Sequence, residues 1–381
     1  MSALLPTYQR TDVELVKGQG SIVEDATGKT YLDFIMGIAV CNTGHRHPYI
    51  QQRLEEQLNQ IWHTSNLFQI ATQERVAERL TEDSHLSHAF FCNSGAEANE
   101  AAYKLVRKWT GKTEVVTFKQ SFHGRTFAMM GATGQEKIKA GYGEMVNGFK
   151  HLPFNEMESL SAITEQTAAV WLEIIQGEGG VVVADDAWLE ALMKKAQQYD
   201  VKIIVDEVQT GIGRTGSRFA FEQTPLVPDI ITLAKGLGSG LAVGALLATE
   251  EAAEVFTPGS HGSTFGGNPL AMTAAEATLD LLLNDTVMAD VQGKGEYLRQ
   301  QLENKLPKSI VSSIRGRGLM IGIECVMPVA TLIDALRENG LLVVSAGPHV
   351  IRLLPSLFVT EQELMDAIEK IQLVCQQEVI V

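Results

Sequence analysis

Two side chains with catalytic potential directly follow short apolar runs of the sequence. Asp206 follows KIIV, and Lys235 follows DIITLA and begins a glycine-rich turn. A carboxylate at the end of a buried strand needs a cation or hydrogen-bond donors. Burial of a lysine can lower its pKa, so that the amine forms a Schiff base with a carbonyl compound. Taken alone, Asp206 has a structural ion pair as its alternative, and Lys235 has a surface turn, which is the commoner place for a lysine.

A segment of small residues supplies a third element. Residues 93–99 (NSGAEAN) follow the apolar run HAFFC at residues 88–92. Small residues at the start of a helix let backbone N–H groups approach an anion at the helix's positive end. The segment therefore predicts a phosphate cup, with an ordinary N-cap by Ser94 and a capping-box partner at Glu97 as the alternative.

The three elements together point to one cofactor. Pyridoxal phosphate needs N–H donors for its phosphate, an amine for its aldehyde and a carboxylate for its pyridine nitrogen. If the apolar runs are parallel strands, their carboxyl ends meet at one edge of a sheet, where ligands bind. The combination predicts a pyridoxal-phosphate site containing Asp206 and Lys235.

Competing motifs are incomplete. The TGKT sequences at residues 27–30 and 110–113 resemble the end of a P-loop, but valines stand where the first glycine is needed. Residues 211–216 spell GxGxxG, yet they lead into a proline-containing stretch and not a helix. The histidines of GHRHP, residues 44–48, have no third ligand spaced near them, so we predict no metal.

The elements that must position these residues are indicated by apolar patterns. Runs without polar alternation are typical of strands covered on both faces, as in a mostly parallel α/β sheet. We expect strands at 88–92, 114–118, 168–174, 202–207, 229–234 and 242–248, with helices at 97–109 and 187–199. Beyond Pro269 we expect helices at 270–283 and 287–305, strands around 310–325, 341–344 and 350–354, and a final helix from about 361.

The N-terminal region predicts a hairpin over residues 21–34 and a helix that begins at Pro48. The fold class is therefore α/β, with three parts. Residues 1–48 form a segment that joins the small domain, residues 49–268 the large, mostly parallel-sheet domain, and residues 269–381 the smaller α+β domain.

Composition limits the partners. The 381 residues are 45% hydrophobic and carry a formal net charge of −15, so neither nucleic acid nor an anionic membrane is an expected partner. The four cysteines form no CxxC pair, which is typical of a reducing compartment. We see no secretory signal and no apolar run of about 20 residues, so we expect a cytoplasmic protein.

The motifs together resemble those of the class III pyridoxal-phosphate aminotransferases over nearly the whole chain, and most closely the acetylornithine aminotransferases of arginine biosynthesis. They are YLDFIMGIAVCNTGHRHP, NSGAEANEAAYKLVRK, SFHGRT, QGEGG, DEVQTGIGRTG, LAKGLGSG, HGSTFGGNPLA and IRLLPSL. The resemblance implies fold type I, a homodimer with active sites at the subunit interface, and a ping-pong exchange of amine and ketone with 2-oxoglutarate, which becomes glutamate.

The resemblance also implies a cofactor site. Its expected members are Gly95, Ala96, Phe122, Asp206, Glu207, Val208, Gln209, Lys235 and Thr264. Among these, Asp206 would pair with the ring nitrogen and Lys235 would bond to the aldehyde. Phe122 would stack on the ring, and Thr264 would reach the phosphate across a dimer interface.

Substrate recognition is expected to rest on carboxylate binding. Arg125 and Arg352 could each hold a carboxylate bidentately, although a salt bridge is the ordinary alternative for either. By resemblance, Arg125 grips the α-carboxylate of the donor with Ser263 nearby. Glu178 matches the family's switch residue, which pairs with Arg352 when an amine donor is bound.

We predict N2-acetyl-L-ornithine as the donor, because ornithine aminotransferases typically carry tryptophan where His123 stands and run longer. Ornithine, N2-succinylornithine and 4-aminobutyrate remain alternative donors. More remote alternatives on the same fold are an aminomutase or racemase and a catalytically silent binding protein.

The chain departs from the family pattern in two places. Ile174 follows Glu173 where proline is usual, and residues 238–245 read GSGLAVGA where GGxPIGA is more usual. Both departures affect backbone shape and not charge, and the second concerns the rigidity of the loop after Lys235.

Overall fold

The computed structural model describes residues 3–378, which begin with a small antiparallel sheet and three helical segments. The strands are β1 (Leu15–Gln19), β2 (Ile22–Asp25) and β3 (Thr30–Asp33). The helical segments are α1 (Met36–Ala39), α2 (Pro48–Leu58) and α3 (Ala71–Thr81). The predicted hairpin and the helix start at Pro48 are confirmed, whereas β1 and α3 were not predicted.

The middle of the chain builds a seven-stranded sheet. Its elements are β4 (His88–Cys92), α4 (Gly95–Thr110), β5 (Glu114–Phe118), α5 (Phe127–Ala132), β6 (Phe149–Leu152), β7 (Thr167–Leu172), β8 (Ile175–Gln176), β9 (Val182–Val183), α6 (Asp186–Tyr199), β10 (Lys202–Asp206), β11 (Ile230–Leu233), β12 (Gly244–Ala248) and α7 (Glu250–Ala253). The sheet order is β4-β12-β11-β10-β7-β5-β6, and β8 pairs with β9 outside it. Short 3₁₀ turns occupy Glu136–Ile138, Met157–Ala162, Ala220–Gln223 and Lys235–Leu237.

Strand direction decides which residues reach the site. Strand β12 is antiparallel to both β4 and β11, and every other neighbouring pair is parallel. The carboxyl ends of six strands therefore lie at one edge of the sheet, together with the amino end of β12. The predicted mostly parallel sheet is confirmed, and the residues that precede β12, instead of those that follow it, face this edge.

The strands are buried on both faces, as their apolar runs predict. Ile203 and Val205 of β10 join the core cluster that contains Trp188 of α6, whereas Ile204 joins the cluster that contains Leu105 of α4. Successive side chains of a strand point to opposite faces, so one short run contributes to both layers. Helices on both faces hold the sheet edge, and the residues that follow each strand, in a fixed position.

The C-terminal part contains three long helices and a four-stranded sheet. Its elements are α8 (Pro269–Leu282), α9 (Asp285–Lys305), β13 (Val311–Arg317), β14 (Met320–Cys325), α10 (Ala330–Glu338), β15 (Leu341–Leu342), β16 (Val344–Ser345), β17 (Val350–Leu353) and α11 (Glu361–Glu378). The sheet order is β13-β14-β17-β16. Within residues 3–378, no helix has the length and apolar character needed to cross a membrane.

The two ends of the chain are joined by strand pairing. Strand β15 pairs in parallel with β3, which extends the N-terminal sheet to the order β1-β2-β3-β15. That the N-terminal segment joins the small domain stays a prediction. The boundaries at residues 48 and 268 stay predictions.

Candidate active site

A cavity of about 480 Å³ opens at the edge of the large sheet where the strand carboxyl ends meet. Most of the residues predicted for the site line it, namely Gly95, Ala96, Phe122, Arg125, Glu178, Asp206, Val208, Gln209 and Lys235. Residues that lie far apart in the sequence thus meet around one space. Their individual roles stay predictions.

The start of α4 is both a capped helix end and an open anion site. Ser94 Oγ accepts a hydrogen bond from Glu97 N at 3.2 Å, and Glu97 Oε2 accepts one from Asn93 N at 2.7 Å. Among the hydrogen bonds between residues 3–378, none uses the N–H groups of Gly95 and Ala96. Because both residues line the cavity, two unbonded backbone donors face it at the positive end of the helix.

Two glycines allow neighbouring segments to approach this helix end closely. A Cβ added to Gly95 would lie 2.7 Å from Val208 Cγ1. A Cβ added to Gly124, whose φ is +134°, would lie 2.9 Å from the Cβ of Ala96. The segments after β5 and β10 therefore pack directly on the start of α4.

Asp206 ends β10 and is held by three donors. Its Oδ2 accepts a hydrogen bond from Asn99 Nδ2 and lies near His123 Nδ1, each at 2.8 Å, and its Oδ1 accepts from Val208 N at 3.0 Å. His123 in turn stacks on Trp171 with ring centroids 5.1 Å apart. The carboxylate is 4% exposed and fixed in orientation at the base of the cavity.

Lys235 follows β11 and lines the same cavity. Burial lowers the pKa of its amine, and the charges of Glu178 and Arg352 act in opposite directions. In the described part of the chain its Nζ has neither a hydrogen bond nor an ion pair. An amine with a lowered pKa and no bound partner is available as a nucleophile or as a base.

Glu178 and Arg352 form an ion pair beside this amine. Arg352 Nη1 donates to Glu178 Oε1 at 2.7 Å and to Gln209 Oε1 at 2.8 Å. Burial opposes ionisation of Glu178, but the charge and hydrogen bond of Arg352 outweigh it and hold the pKa of Glu178 below its usual range. The Arg352 side chain is fully buried in β17, and its Nε and Nη2 lack partners among residues 3–378.

Besides the buried Arg352, three predicted residues do not line this cavity. The Glu207 carboxylate accepts hydrogen bonds from Phe221 N at 2.9 Å and from the Thr210 hydroxyl, and burial raises the pKa of Glu207 to about 7. Ser263 stands behind the cavity wall, with its Oγ 3.3 Å from the side-chain nitrogen of Asn93. Thr264 is exposed. Their roles rest on the resemblance alone.

The structure adds residues that the sequence reasoning did not assign to the site. Glu173 accepts hydrogen bonds from Phe122 N at 3.0 Å and Gly177 N at 3.4 Å, and burial together with the charge of Asp206 raises the pKa of Glu173 well above its usual range. Its position directly after the β7 run was the available signal. Other unassigned lining residues are Val40, Asn93, Asn99, Leu241, Ala242 and Val243.

The fold is a mostly parallel α/β sheet whose carboxyl edge holds a cavity lined by a lysine amine, carboxylates and the start of a helix. The chain belongs to the class-III aminotransferase family, whose model, Aminotransferase class-III, matches residues 6–375. The predicted family, fold class and aminotransferase activity are thereby confirmed.

Individual relatives align over nearly the full length. The chain is 52% identical to the acetylornithine aminotransferase of Bacillus subtilis (strain 168), over 98% of this chain and 97% of the relative. It resembles the crystal structure of N-acetylornithine aminotransferase from Stenotrophomonas maltophilia K279a with a TM-score of 0.85 and 36% identity, over 98% of each chain. For ornithine aminotransferase from Toxoplasma gondii ME49 the TM-score is 0.95 and the identity 29%, over 99% of this chain and 93% of that one.

The lowered pKa of Lys235 predicts an unusual pH dependence of stability. A lysine whose folded-state pKa lies below 10.5 binds fewer protons in the folded protein than in the unfolded chain, so its contribution to stability rises with pH towards 10.5. We expect Lys235→Met to raise the urea unfolding midpoint of the ligand-free protein at about pH 7 and to have a smaller effect at about pH 10.

Lys202→Met is the matched control. Burial lowers the pKa of Lys202, but the hydrogen bond and charge of Asp200, whose Oδ1 lies 2.8 Å from Lys202 Nζ, help to raise it above its usual value. Lys202 therefore stabilises the folded state below pH 10.5, and its removal should lower the midpoint at about pH 7. Equal losses of stability in both variants at both pH values would contradict the assignment of Lys235.

Proposed function

We propose that this aminotransferase uses pyridoxal phosphate to move the δ-amino group of N2-acetyl-L-ornithine to 2-oxoglutarate, which becomes glutamate. One observation carries the proposal. A single cavity is surrounded by a fixed carboxylate, a lysine amine and two N–H groups of a helix start, and neither the amine nor the N–H groups have partners in the described part of the chain.

The residues present fit the cofactor. Pyridoxal phosphate, when bound, supplies a carbonyl that exchanges amines and a ring that withdraws electrons from the reacting carbon. The N–H groups of Gly95 and Ala96 would hold its phosphate, and Asp206 would hold its ring nitrogen. Phe122 would cover one ring face, and the Lys235 amine would hold the aldehyde.

Lys235 would then have a second task. Its lowered pKa favours the amine, once displaced by the donor, as the base that takes a proton from the substrate and returns it. Asp206 is oriented separately, because its oxygens accept hydrogen bonds from Asn99, His123 and Val208. Each group therefore keeps one role.

Carboxylate recognition divides between two arginines in different surroundings. Arg125 is exposed at the cavity and lies 5.9 Å from the Phe122 ring centroid, which suits the α-carboxylate of an incoming donor. Arg352 is buried and forms an ion pair with Glu178. A 2-oxo diacid would displace Glu178 and bind the two Arg352 nitrogens that now lack partners.

The charges of the cavity favour a donor whose α-amine is acylated. Its lining carboxylates within the described chain are Glu173, Glu178 and Asp206, and each already accepts hydrogen bonds from protein donors. Free ornithine would bring an α-ammonium into a cavity whose carboxylates are already engaged, so the ammonium would lose contacts with water without gaining a partner. Acetylation removes that charge.

The sequence identity to relatives supports the acetylated donor, whereas the structural similarity to relatives does not distinguish the donors. Identity is 52% to the Bacillus subtilis acetylornithine enzyme and 29% to the Toxoplasma gondii ornithine enzyme. The TM-score of 0.95 to the latter exceeds the 0.85 to an acetylornithine enzyme. The shared fold therefore does not discriminate between donors, and we base the choice on sequence and cavity charge.

We also propose a cytoplasmic homodimer that acts in arginine biosynthesis. Thr264 does not line the cavity of its own chain, and the loop that carries it lies beside exposed apolar side chains. Leu67 is 90%, Phe68 69% and Phe265 60% exposed, and Asn66 bonds to carbonyl oxygens of the same loop. Grouped exposed apolar residues mark protein contacts, so a second copy would cover them and receive Thr264.

Side-by-side kinetics test the donor. We expect kcat/KM with 2-oxoglutarate to be highest for N2-acetyl-L-ornithine, and at least about tenfold lower for free ornithine because an unpaired buried ammonium costs more than about 1.4 kcal/mol. N2-succinylornithine and 4-aminobutyrate complete the panel. A preference for free ornithine would refute the donor assignment, and turnover without any 2-oxo acid would indicate an aminomutase or racemase.

Asp206→Asn tests the carboxylate at the base of the cavity. We expect the donor half-reaction to slow by at least about a hundredfold, since the ring nitrogen loses its charged partner. Asn99→Ala is the matched control, because it removes one hydrogen bond to Asp206 and keeps its charge. If both variants slow the reaction equally in rapid-mixing absorbance measurements, the charge of Asp206 has no special role.

Glu178→Gln tests the switch. We expect the half-reaction with N2-acetyl-L-ornithine to slow about tenfold relative to that with glutamate, because Arg352 would keep an uncompensated charge when no substrate carboxylate binds it. Glu296→Gln, which breaks a surface pair with Arg299, serves as the control. An unchanged ratio of the two half-reactions in Glu178→Gln would exclude the switch.

A further inference from the structure

The turn that carries Lys235 has an unfavourable backbone conformation at two residues with side chains. Lys235 has a φ of +43° and Ser239 a φ of +41°. Residues with a Cβ rarely adopt such angles, and they persist only where the surroundings hold them. Glycine occupies positions 236, 238 and 240 of this turn, so the serine at position 239 requires a physical reason.

The side chain of Ser239 supplies that reason. Its Oγ lies 2.5 Å from the Oγ1 of Thr43 and accepts a hydrogen bond from Thr43 N at 3.1 Å. Thr43 is 3% exposed, so this hydroxyl pair is shielded from water on the side of Thr43. The bonds connect the lysine turn to a segment that lies almost 200 residues earlier in the chain.

That earlier segment is itself held rigidly. All four residues of α1, 36–39, have φ between +48° and +65°, and Val40 next to them lines the cavity. The side chain of Asn42 lies so close to Gly236 that a Cβ there would overlap its amide. Asn42 also donates to Ile212 O at 3.0 Å and accepts from the buried Arg214 at 2.6 Å.

We propose that Ser239 is a positioning residue, whose hydroxyl pair with Thr43 clasps the turn 235–240 to the segment 36–43 and so determines where the Lys235 amine lies in the cavity. The inference rests on the proposed role of Lys235 in holding the cofactor. The turn and the residues up to 245 contain no proline, so their backbone retains rotational freedom that the clasp removes.

The clasp acts through position and not through charge. The charged groups that influence Lys235 are Glu178, Arg352, Asp206 and Glu173, and none of them belongs to the clasp. Neither hydroxyl ionises near neutral pH. Substitutions of Ser239 or Thr43 therefore move the amine relative to unchanged charges, and this displacement can be measured.

Four variants distinguish the positioning of Lys235 by the clasp from a contribution of the clasp to overall stability. Ser239→Ala removes the hydroxyl and keeps the unfavourable φ, whereas Ser239→Gly removes the hydroxyl and relieves it. Thr43→Val removes the partner hydroxyl at similar size, and Thr43→Ser retains it. We expect Ser239→Gly to unfold in urea at a higher concentration than Ser239→Ala, although both lose the clasp.

The decisive readouts concern Lys235. In the holoenzyme, we expect the three variants that lose the clasp to shift the midpoint of the pH titration of cofactor absorbance and to lower kcat about two- to tenfold, the range of one hydrogen bond. KM for 2-oxoglutarate should stay unchanged, because neither arginine is touched. Thr43→Ser should match the wild type.

A second measurement does not depend on the cofactor. Reductive methylation of the full-length, cofactor-free chain with formaldehyde, followed by mass spectrometry, should show a two- to tenfold changed rate at Lys235 in Ser239→Ala and Thr43→Val, with Lys202 unchanged. If the titration midpoint, kcat and Lys235 labelling all match the wild type while only the urea midpoint falls, Ser239 is merely structural and the proposal is wrong. A wild-type protein without a cofactor absorbance band would refute the proposed function, while the labelling result would still decide the clasp.

Discussion

The site depends on the Lys235 amine, which lies among several carboxylates and forms no ion pair with any residue from 3 to 378. Glu173, Glu178 and Asp206 all exert an electrostatic influence on Lys235, and any of them could neutralise it if its oxygens were free. Each instead accepts hydrogen bonds from fixed donors, which are backbone N–H groups, the Arg352 guanidinium and a network of buried side chains. Burial outweighs the attraction of these negative charges and lowers the pKa of the Lys235 amine. Among the described residues, the Lys235 amine stays free of an ion pair because hydrogen bonds from other groups already occupy the oxygens of these carboxylates.

This arrangement requires three parts of the chain to converge. The large sheet provides the strand ends, the N-terminal segment closes over the lysine turn, and β17 brings Arg352 from the C-terminal part. Arg214 links all three, because its guanidinium donates to Asn42 and to carbonyl oxygens of Leu319 and Pro355. Burial without a carboxylate partner lowers the pKa of Arg214 to about 9, so its bonds to these dipoles are what keep a cation in the core. The N-terminal segment is therefore part of the site and not an appendage.

The sequence allowed much of this to be predicted because buried strands and strand-end polar residues leave strong local patterns. Strands β5, β10 and β11, together with Asp206 and Lys235 at their ends, were found in this way. Strand β6 was missed since it lies at the sheet edge and is only partly buried, which leaves no continuous apolar run. The direction of β12 was also hidden, because a strand buried on both faces has the same pattern in either direction.

The sequence also does not show which way a side chain at the end of a strand points. Asp206 and Glu207 are adjacent, and both were expected in the cofactor site, yet only Asp206 lines the cavity. Neighbouring residues of an extended chain point to opposite sides, so Glu207 turns towards Phe221 and braces the turn that follows. Glu173, at the end of another strand, points into the cavity instead. Which acidic residue reaches the site is decided by strand register, and register is set by contacts distant in sequence.

The paired state of Arg352 explains how one cavity could serve two chemically different partners. Unlike Arg214, Arg352 bonds to one carboxylate and one amide oxygen, so losing the carboxylate without replacement would leave its buried charge uncompensated. Glu178 supplies it in this structure, and its 29% exposed side chain has room to move, whereas the Arg352 side chain has none. In the proposed reaction, the carboxylate of a diacid would replace that of Glu178, and the charge around Arg352 would stay the same. A donor that presents only an amine at this end would leave Glu178 in place. The same arginine then remains neutralised in both halves of the proposed reaction, and the cavity need not be rebuilt between them.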